Sequence, residues 1–202
     1  SPLPDQPLKS AAVDHLSMPP AEGQLVVLSG PSGVGKGTLI RRLKQRHPGL
    51  LLSISATTRQ PREGEVHGKH YYFVSMEKFR TMIEGGALLE WAEFAGNCYG
   101  TPREPVEQAI ALGQRVILEI ELLGARQVRK SFPQAKQIFI APPDERALEQ
   151  RIRGRGQESE AAIDKRLAQA KVELAAAHEF DHKIVNDSIE DALSELEDAI
   201  FE

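Results

Sequence analysis

From residue 25 onward the chain alternates between short apolar runs and longer amphipathic stretches. Residues 25–28, Leu-Val-Val-Leu, carry no polar position, as a strand covered on both faces requires. Residues 38–46 read as a helix stopped by His47, Pro48 and Gly49, and a second apolar run follows at 50–54. After residue 102 the alternation resumes, with helix 105–112, strand 116–120, helix 125–131 and strand 137–140. Helix 144–153, a long helix 160–178, strand 183–185 and a last helix from 189 complete it. Such a pattern predicts a parallel central sheet covered by helices on both faces, a three-layer α/β/α fold.

Residues 55–102 break this rhythm. They are rich in Thr, Arg, Tyr and Gly, with one short helix at 77–84 stopped by Gly85 and Gly86. The segment is predicted to be a mixed α+β insertion at the strand ends, where ligands of such folds bind.

The first strand runs directly into Gly30-Pro31-Ser32-Gly33-Val34-Gly35-Lys36-Gly37-Thr38. Strand, glycine-rich turn and helix in that order form the context of a phosphate-binding loop, a P-loop. The glycines let backbone N–H groups converge on phosphate oxygens, the helix N-terminus faces the same anion, and Lys36 reaches the β/γ phosphates as a point charge. Gly37 stands where Ser or Thr commonly follows the lysine, so Thr38 becomes the candidate hydroxyl near Mg²⁺ or the β-phosphate. This Gly-Lys-Gly-Thr ending resembles nucleoside monophosphate kinases more than switch GTPases.

Composition narrows the class. The 202 residues suit one domain with a buried core, 41% being hydrophobic. No apolar stretch is long enough to span a bilayer, and a net charge of −4 gives no bulk attraction for nucleic acid. Cys98 is the only cysteine, which excludes an internal disulfide and fits a cytoplasmic, reducing setting. Residues 1–22 hold five prolines, no periodicity and no basic segment leading into an apolar one. They are expected to form a disordered tail, not a secretory signal. The six histidines show no metal-ligand spacing.

Arg59 and Arg62 lie three apart around Pro61, a stiff pair of guanidinium forks suited to a dianionic phosphate. Ser55, Tyr71 and Tyr99 could add hydroxyl donors. With these residues in view, an ordered set of motifs resembles guanylate kinase in its bacterial form. It comprises Ser29–Lys36 of the loop, Ser55-Ala-Thr-Thr-Arg-Gln-Pro-Arg62, Gly64-Glu-Val-His-Gly-Lys-His-Tyr-Tyr72 and Leu89-Glu-Trp-Ala-Glu-Phe94. Gly96-Asn-Cys-Tyr-Gly-Thr101, Ile140-Ala-Pro-Pro143, Arg153-Gly-Arg-Gly156 and Ile184-Val-Asn-Asp187 follow in order, so the resemblance runs from about residue 24 to the end.

The resemblance implies transfer of the γ-phosphoryl of ATP to GMP, and dGMP, with Mg²⁺ required. By position, Gly30 to Thr38 and Asn186 would bind ATP. Ser55, Arg59, Arg62, Tyr71 and Tyr99 would hold the GMP phosphate. Glu90 and Thr101 would read guanine, together with Glu119 or Glu121 at the end of strand 116–120. An ionised carboxylate accepts from guanine N1–H and its 2-amino group, whereas adenine would oppose it with an acceptor. The strand ends with Glu119 and Glu121 on the same side, because side chains alternate along it, and either acid could meet guanine, the reacting phosphates or a Mg²⁺ water ligand. The metal would be held by ATP phosphates and water, with Thr38 and Glu119 as candidates.

Arg151 and Arg155 share a face if their helix persists, and Gly154 and Gly156 suit a hinge. In the resembling family Arg151, Arg155 and Arg166 would close over ATP, acting with Lys36 and Arg59 on the transferring group. The expected organisation is a core of 23–54, 103–153 and 178–202, a GMP-binding insertion 55–102 and a small helical lid 154–177. A monomer or weak homo-oligomer acting on ATP and GMP is the expected state. The rival class is a non-catalytic module of the same fold that binds phosphorylated partners. Such modules typically lack the intact loop present here.

Overall fold

The structure, a computed structural model, describes residues 23–154, 156 and 158–202. The expected tail 1–22 and Arg155 lie outside the described residues. Five strands form an entirely parallel sheet: β1 (Gln24–Ser29), β2 (Leu51–Leu52), β7 (Arg115–Glu119), β8 (Lys136–Ala141) and β9 (His182–Val185). Their order is β2-β7-β1-β8-β9, so β1 is central.

The alternation of side chains along β1 explains both layers. Leu25 and Val27 point into one core with Val116, Leu118 and Phe139, closed by α3 (Arg103–Ala111) and α4 (Leu122–Ser131). Val26 and Leu28 point into the other with Ile117, Ile138 and Ile140, closed by α1 (Lys36–Arg46) and α7 (Ile189–Phe201). The central strand β1 is therefore apolar on both faces, which is why its sequence is a run with no polar alternation.

The segment between β2 and α3 forms its own sheet, ordered β4-β3-β6-β5. Here β3 is Ala56–Thr57, β4 Tyr72–Phe73, β5 Leu88–Phe94 and β6 Asn97–Pro102. Phe79 of α2 (Met76–Glu84), wholly buried, anchors a separate cluster with Ala56, Leu88 and Cys98. A fourth cluster of Leu148, Ile152, Ile163 and Ala170 joins α5 (Glu145–Arg153) to α6 (Glu160–Ala175) beside the phosphate loop.

Three elements differ from the sequence reading. The second strand contracts from 50–54 to two residues. The long helix ends at Ala175, and His178 lies in a separate 3₁₀ turn, Ala177–Glu179. Strand β7 ends at Glu119, so the alternation argument does not reach Glu121, which becomes the N-cap of α4.

A candidate nucleotide-binding cleft

The glycine-rich turn after β1 opens into a cleft of about 800 Å³ lined by Ser32 to Thr38, Arg41, Glu119, Arg151 and Gly154. Two glycines here answer to space and backbone. At Gly30 a Cβ would lie 2.2 Å from the Ile140 carbonyl oxygen. Gly35, at φ 93°, caps α1 in the left-handed region, and a Cβ there would lie 2.7 Å from Asn186 Nδ2. Asn186 itself is buried and donates to the Val34 carbonyl at 2.8 Å, pinning the loop to the end of β9.

Lys36 Nζ donates to the carbonyls of Gly30 (2.6 Å) and Pro31 (3.2 Å). Burial lowers its pKa, opposed by the nearby carboxylates of Glu119 and Glu173. Thr38 Oγ1 accepts a long contact from Arg41 at 3.4 Å. Helices α5 and α6 also reach this loop. Arg151 donates to the Gly33 carbonyl at 3.3 Å, and Arg166 donates to Ser32 Oγ at 3.1 Å while pairing with Glu158. Helix α5 stops at Arg153, which pairs with Glu149 and Glu160.

In the inserted sheet, Arg59 makes a two-pronged ion pair with Glu65, at 2.8 and 3.0 Å. The same carboxylate accepts from the Arg62 backbone N–H at 2.7 Å, which holds the turn between the arginines. The Arg59 hydrogen bonds, then the Arg62 N–H, pull the Glu65 pKa down to about 2. The Arg59 guanidinium lies 5.2 Å from the Tyr71 ring centre, and the Tyr71 and Tyr99 rings meet edge to face at 6.3 Å. The structure thus brings Arg59, Tyr71 and Tyr99 together. The Arg62 side chain is exposed, and Ser55 uses its carbonyl to accept from Tyr72 N–H.

Glu90 of β5 and Thr101 of β6 sit opposite one another and are buried, with the Thr101 hydroxyl donating to Glu90 Oε1 at 2.7 Å. A hydroxyl has one proton, so Thr101 donates to Glu90 or to a ligand, never both at once. Burial raises the Glu90 pKa, the Thr101 bond lowers it, and the Glu121 charge raises it further. Glu121 spends its oxygens on the N–H groups of Leu123 (3.0 Å) and Gly124 (2.8 Å) at the start of α4. Glu119, exposed at the end of β7, instead lines the phosphate-loop cleft. The structure thereby separates the two acids that sequence alternation had put together.

Three residues near these groups escape sequence reasoning. Glu65 carried only a spacing signal, three after Arg62. Glu173 is buried on α6, its pKa raised by burial and lowered by Lys36. Gln127 joins β5 to α4 across 36 residues of chain. Neither of the last two has a local signature.

The whole arrangement has relatives. A family model described as guanylate kinase matches residues 22–202. A guanylate kinase of Thermosynechococcus vestitus is 65% identical over 185 residues, covering 92% of this chain and 97% of that one. One from a Synechocystis species is 61% identical, covering 87% and 92%. The crystal structure of guanylate kinase from Anaplasma phagocytophilum aligns with a TM-score of 0.67 at 32% identity, over 90% of this chain and 86% of that one. A phosphate loop, an inserted sheet bearing a buried Glu–Thr pair, and relatives matching nearly end to end lead to one conclusion: the chain belongs to the guanylate kinase family.

Proposed function

We infer that this protein transfers the γ-phosphoryl group of ATP to GMP, giving ADP and GDP. The observation that carries the reading is the joint presence of a lysine-bearing phosphate loop and a buried carboxylate–hydroxyl pair on the inserted sheet. The first is suited to a nucleoside triphosphate, the second to a base with N–H donors on its Watson–Crick edge.

In this reading Gly30 to Thr38 cradle the ATP phosphates, and Lys36 leaves the Gly30 and Pro31 carbonyls for the β/γ oxygens. Arg59 and Arg62, with Ser55, Tyr71 and Tyr99, hold the acceptor phosphate; Glu90 and Thr101 read guanine. Arg151 and Arg166 approach the transferring group from the lid side. The acceptor phosphate is already an anionic nucleophile near neutral pH, so no side chain need remove a proton. The residues act by alignment and charge. Asn186 contributes by fixing the loop. Residues 55–102 form the acceptor-binding unit and 154–177 the lid, and the other Arg in that lid segment, Arg155, would add charge.

Mg²⁺ fits the donor set. Among the described residues no cluster of three His, Cys, Asp or Glu could enclose a metal. Thr38 and Glu119 nonetheless flank the cleft, and Mg²⁺ usually takes one or two protein oxygens plus phosphates and water. Bound, it neutralises charge across the β and γ phosphates. Among the described residues no helix is long and apolar enough to cross a membrane.

The test is a coupled assay of ADP formation with ATP, Mg²⁺ and GMP, dGMP, AMP, UMP or CMP in turn. GMP should be preferred, and Lys36→Met should abolish transfer with the circular dichroism spectrum retained. Faster turnover of AMP or UMP than of GMP would overturn the assignment.

A further inference from the structure

Strand β5, which carries Glu90, is the outer strand of the inserted sheet, so among the described residues its free edge has no neighbouring strand. Helix α4 of the parallel-sheet core covers that edge with side chains. The Gln127 amide donates from Nε2 to the Trp91 carbonyl at 2.9 Å, while the Trp91 N–H donates to Gln127 Oε1 at 3.0 Å. A side-chain amide thus supplies the rung that a missing strand would have made. One turn further along, Ser131 Oγ donates to the Leu89 carbonyl at 2.5 Å. Both backbone neighbours of Glu90 are therefore bound to one core helix.

The same helix approaches the Glu90 carboxylate directly. Gly124 lies one turn before Gln127, and a Cβ at Gly124 would sit 3.2 Å from Glu90 Oε2 and 3.0 Å from Glu121 Oε1. The bare backbone of α4 is the floor on which the two carboxylates converge. The helix that fixes the Glu90 main chain also sets the space around its side chain.

We propose that Gln127 is a positioning residue for base recognition, holding Glu90 to the core helix α4 so that the acceptor base is read from a fixed edge. The inference rests on Glu90 as the base reader. It adds that the base-reading strand belongs mechanically to the core, while the phosphate-gripping turn at Arg59–Arg62 sits on the far side of the inserted sheet, next to β3 and β4.

The experiment compares kcat/KM for GMP and AMP in the parent, Gln127→Met, Gln127→Glu, Glu90→Gln and the double variant Glu90→Gln/Gln127→Met. Met keeps the length and removes both hydrogen bonds. Glu keeps the acceptor for Trp91 N–H and sets a carboxylate against the Trp91 carbonyl. Losing two neutral hydrogen bonds should cut the GMP-over-AMP ratio about tenfold, through KM for GMP, with KM for ATP unchanged. A residue acting only through Glu90 adds nothing once Glu90 is altered, so the double variant should match Glu90→Gln alone.

Unchanged selectivity in Gln127→Met and Gln127→Glu, beside a loss in Glu90→Gln, overturns the inference and leaves the functional reading standing. Unchanged selectivity in all variants overturns Glu90 as base reader and the inference with it. An equal fall in rate with GMP and AMP shows a merely structural role and also overturns it. If Gln127→Met fails to fold, Gln127→Glu and Ser131→Ala carry the same comparison.

Discussion

Neutralising Glu90 should make this protein more stable and less selective at once. Glu90 is 8% exposed, keeps one hydrogen bond, from a Thr101 that is wholly buried, and faces the charge of Glu121. Glu90→Gln retains the acceptor for Thr101 while removing a desolvated charge and its repulsion with Glu121. The gain should be about 1–2 kcal/mol, the scale of an incompletely satisfied buried polar group. For a domain of this size that corresponds to a Tm rise of about 3–6 °C.

The pH dependence fixes the sign. In the folded protein the Glu90 pKa is raised, chiefly by burial, so the folded state binds its proton more tightly than the unfolded chain. Stability is then lost as pH rises from the ordinary carboxylate value of 4.5 through the folded value. The advantage of the Glu90→Gln variant over the parent should be full above that window and vanish below it. Thermal melts at pH 8 and in mild acid read this directly, and the coupled assay should show the GMP-over-AMP ratio reduced at least about tenfold. A variant less stable than the parent at pH 8, or an advantage that grows on acidification, would refute the electrostatic account.

Ala95 sits at φ 52°, the only non-glycine with positive φ among the described residues, at the turn between β5 and β6. Ala95→Asn should relieve about 1 kcal/mol of left-handed strain and raise the urea midpoint without altering kcat; an unmoved midpoint would refute the strain. Glu65→Gln should raise KM for GMP and leave KM for ATP alone, because it loosens the Arg59 fork and the Arg62 turn together; equal rises in both would assign Glu65 a general structural role. Phe201 lies 4.4 Å from the His47 ring and 4.9 Å from the Arg115 guanidinium. Phe201→Ala should cost about 1–2 kcal/mol in denaturant melts at unchanged KM values, and no loss would place the end of α7 outside the cooperative fold.

What the sequence made legible follows the range of the interactions. The central strand, the phosphate loop and α1 are written in consecutive residues, so β1 and Lys36 emerge from local pattern alone. The inserted sheet is not, because β3 and β4 are two residues each and exist only through pairing with partners far along the chain. Glu121 shows how a sound local rule fails. Alternation assumes that the strand continues, but two free N–H groups at the start of α4 capture the carboxylate first. Gln127 had no reading because its meaning depends on Trp91, and Glu65 because its meaning depends on the turn it closes.

The cations proposed to meet phosphate share a common logic. Lys36, Arg59, Arg151 and Arg166 each rest on a resident acceptor: loop carbonyls for Lys36 and Arg151, Glu65 for Arg59, Glu158 and Ser32 for Arg166. Lys36, Arg59 and Arg166 are thus already partly withdrawn from water, whereas Arg151 stays exposed, and holding the first three lowers the ordering cost that a ligand would otherwise meet. The arrangement also discriminates. A phosphate approaching Arg59 competes with a carboxylate gripping both prongs of the fork, so a neutral group gains nothing there and a monoanion only exchanges like for like. A dianion gains, because its second charge adds Coulomb attraction to Arg59 and Arg62 beyond what it exchanges with Glu65. Acceptor monophosphates should therefore bind through their doubly ionised form, and GMP affinity should fall as pH drops through the second phosphate ionisation near about 6, well above the pKa of about 2 at which Glu65 would release Arg59.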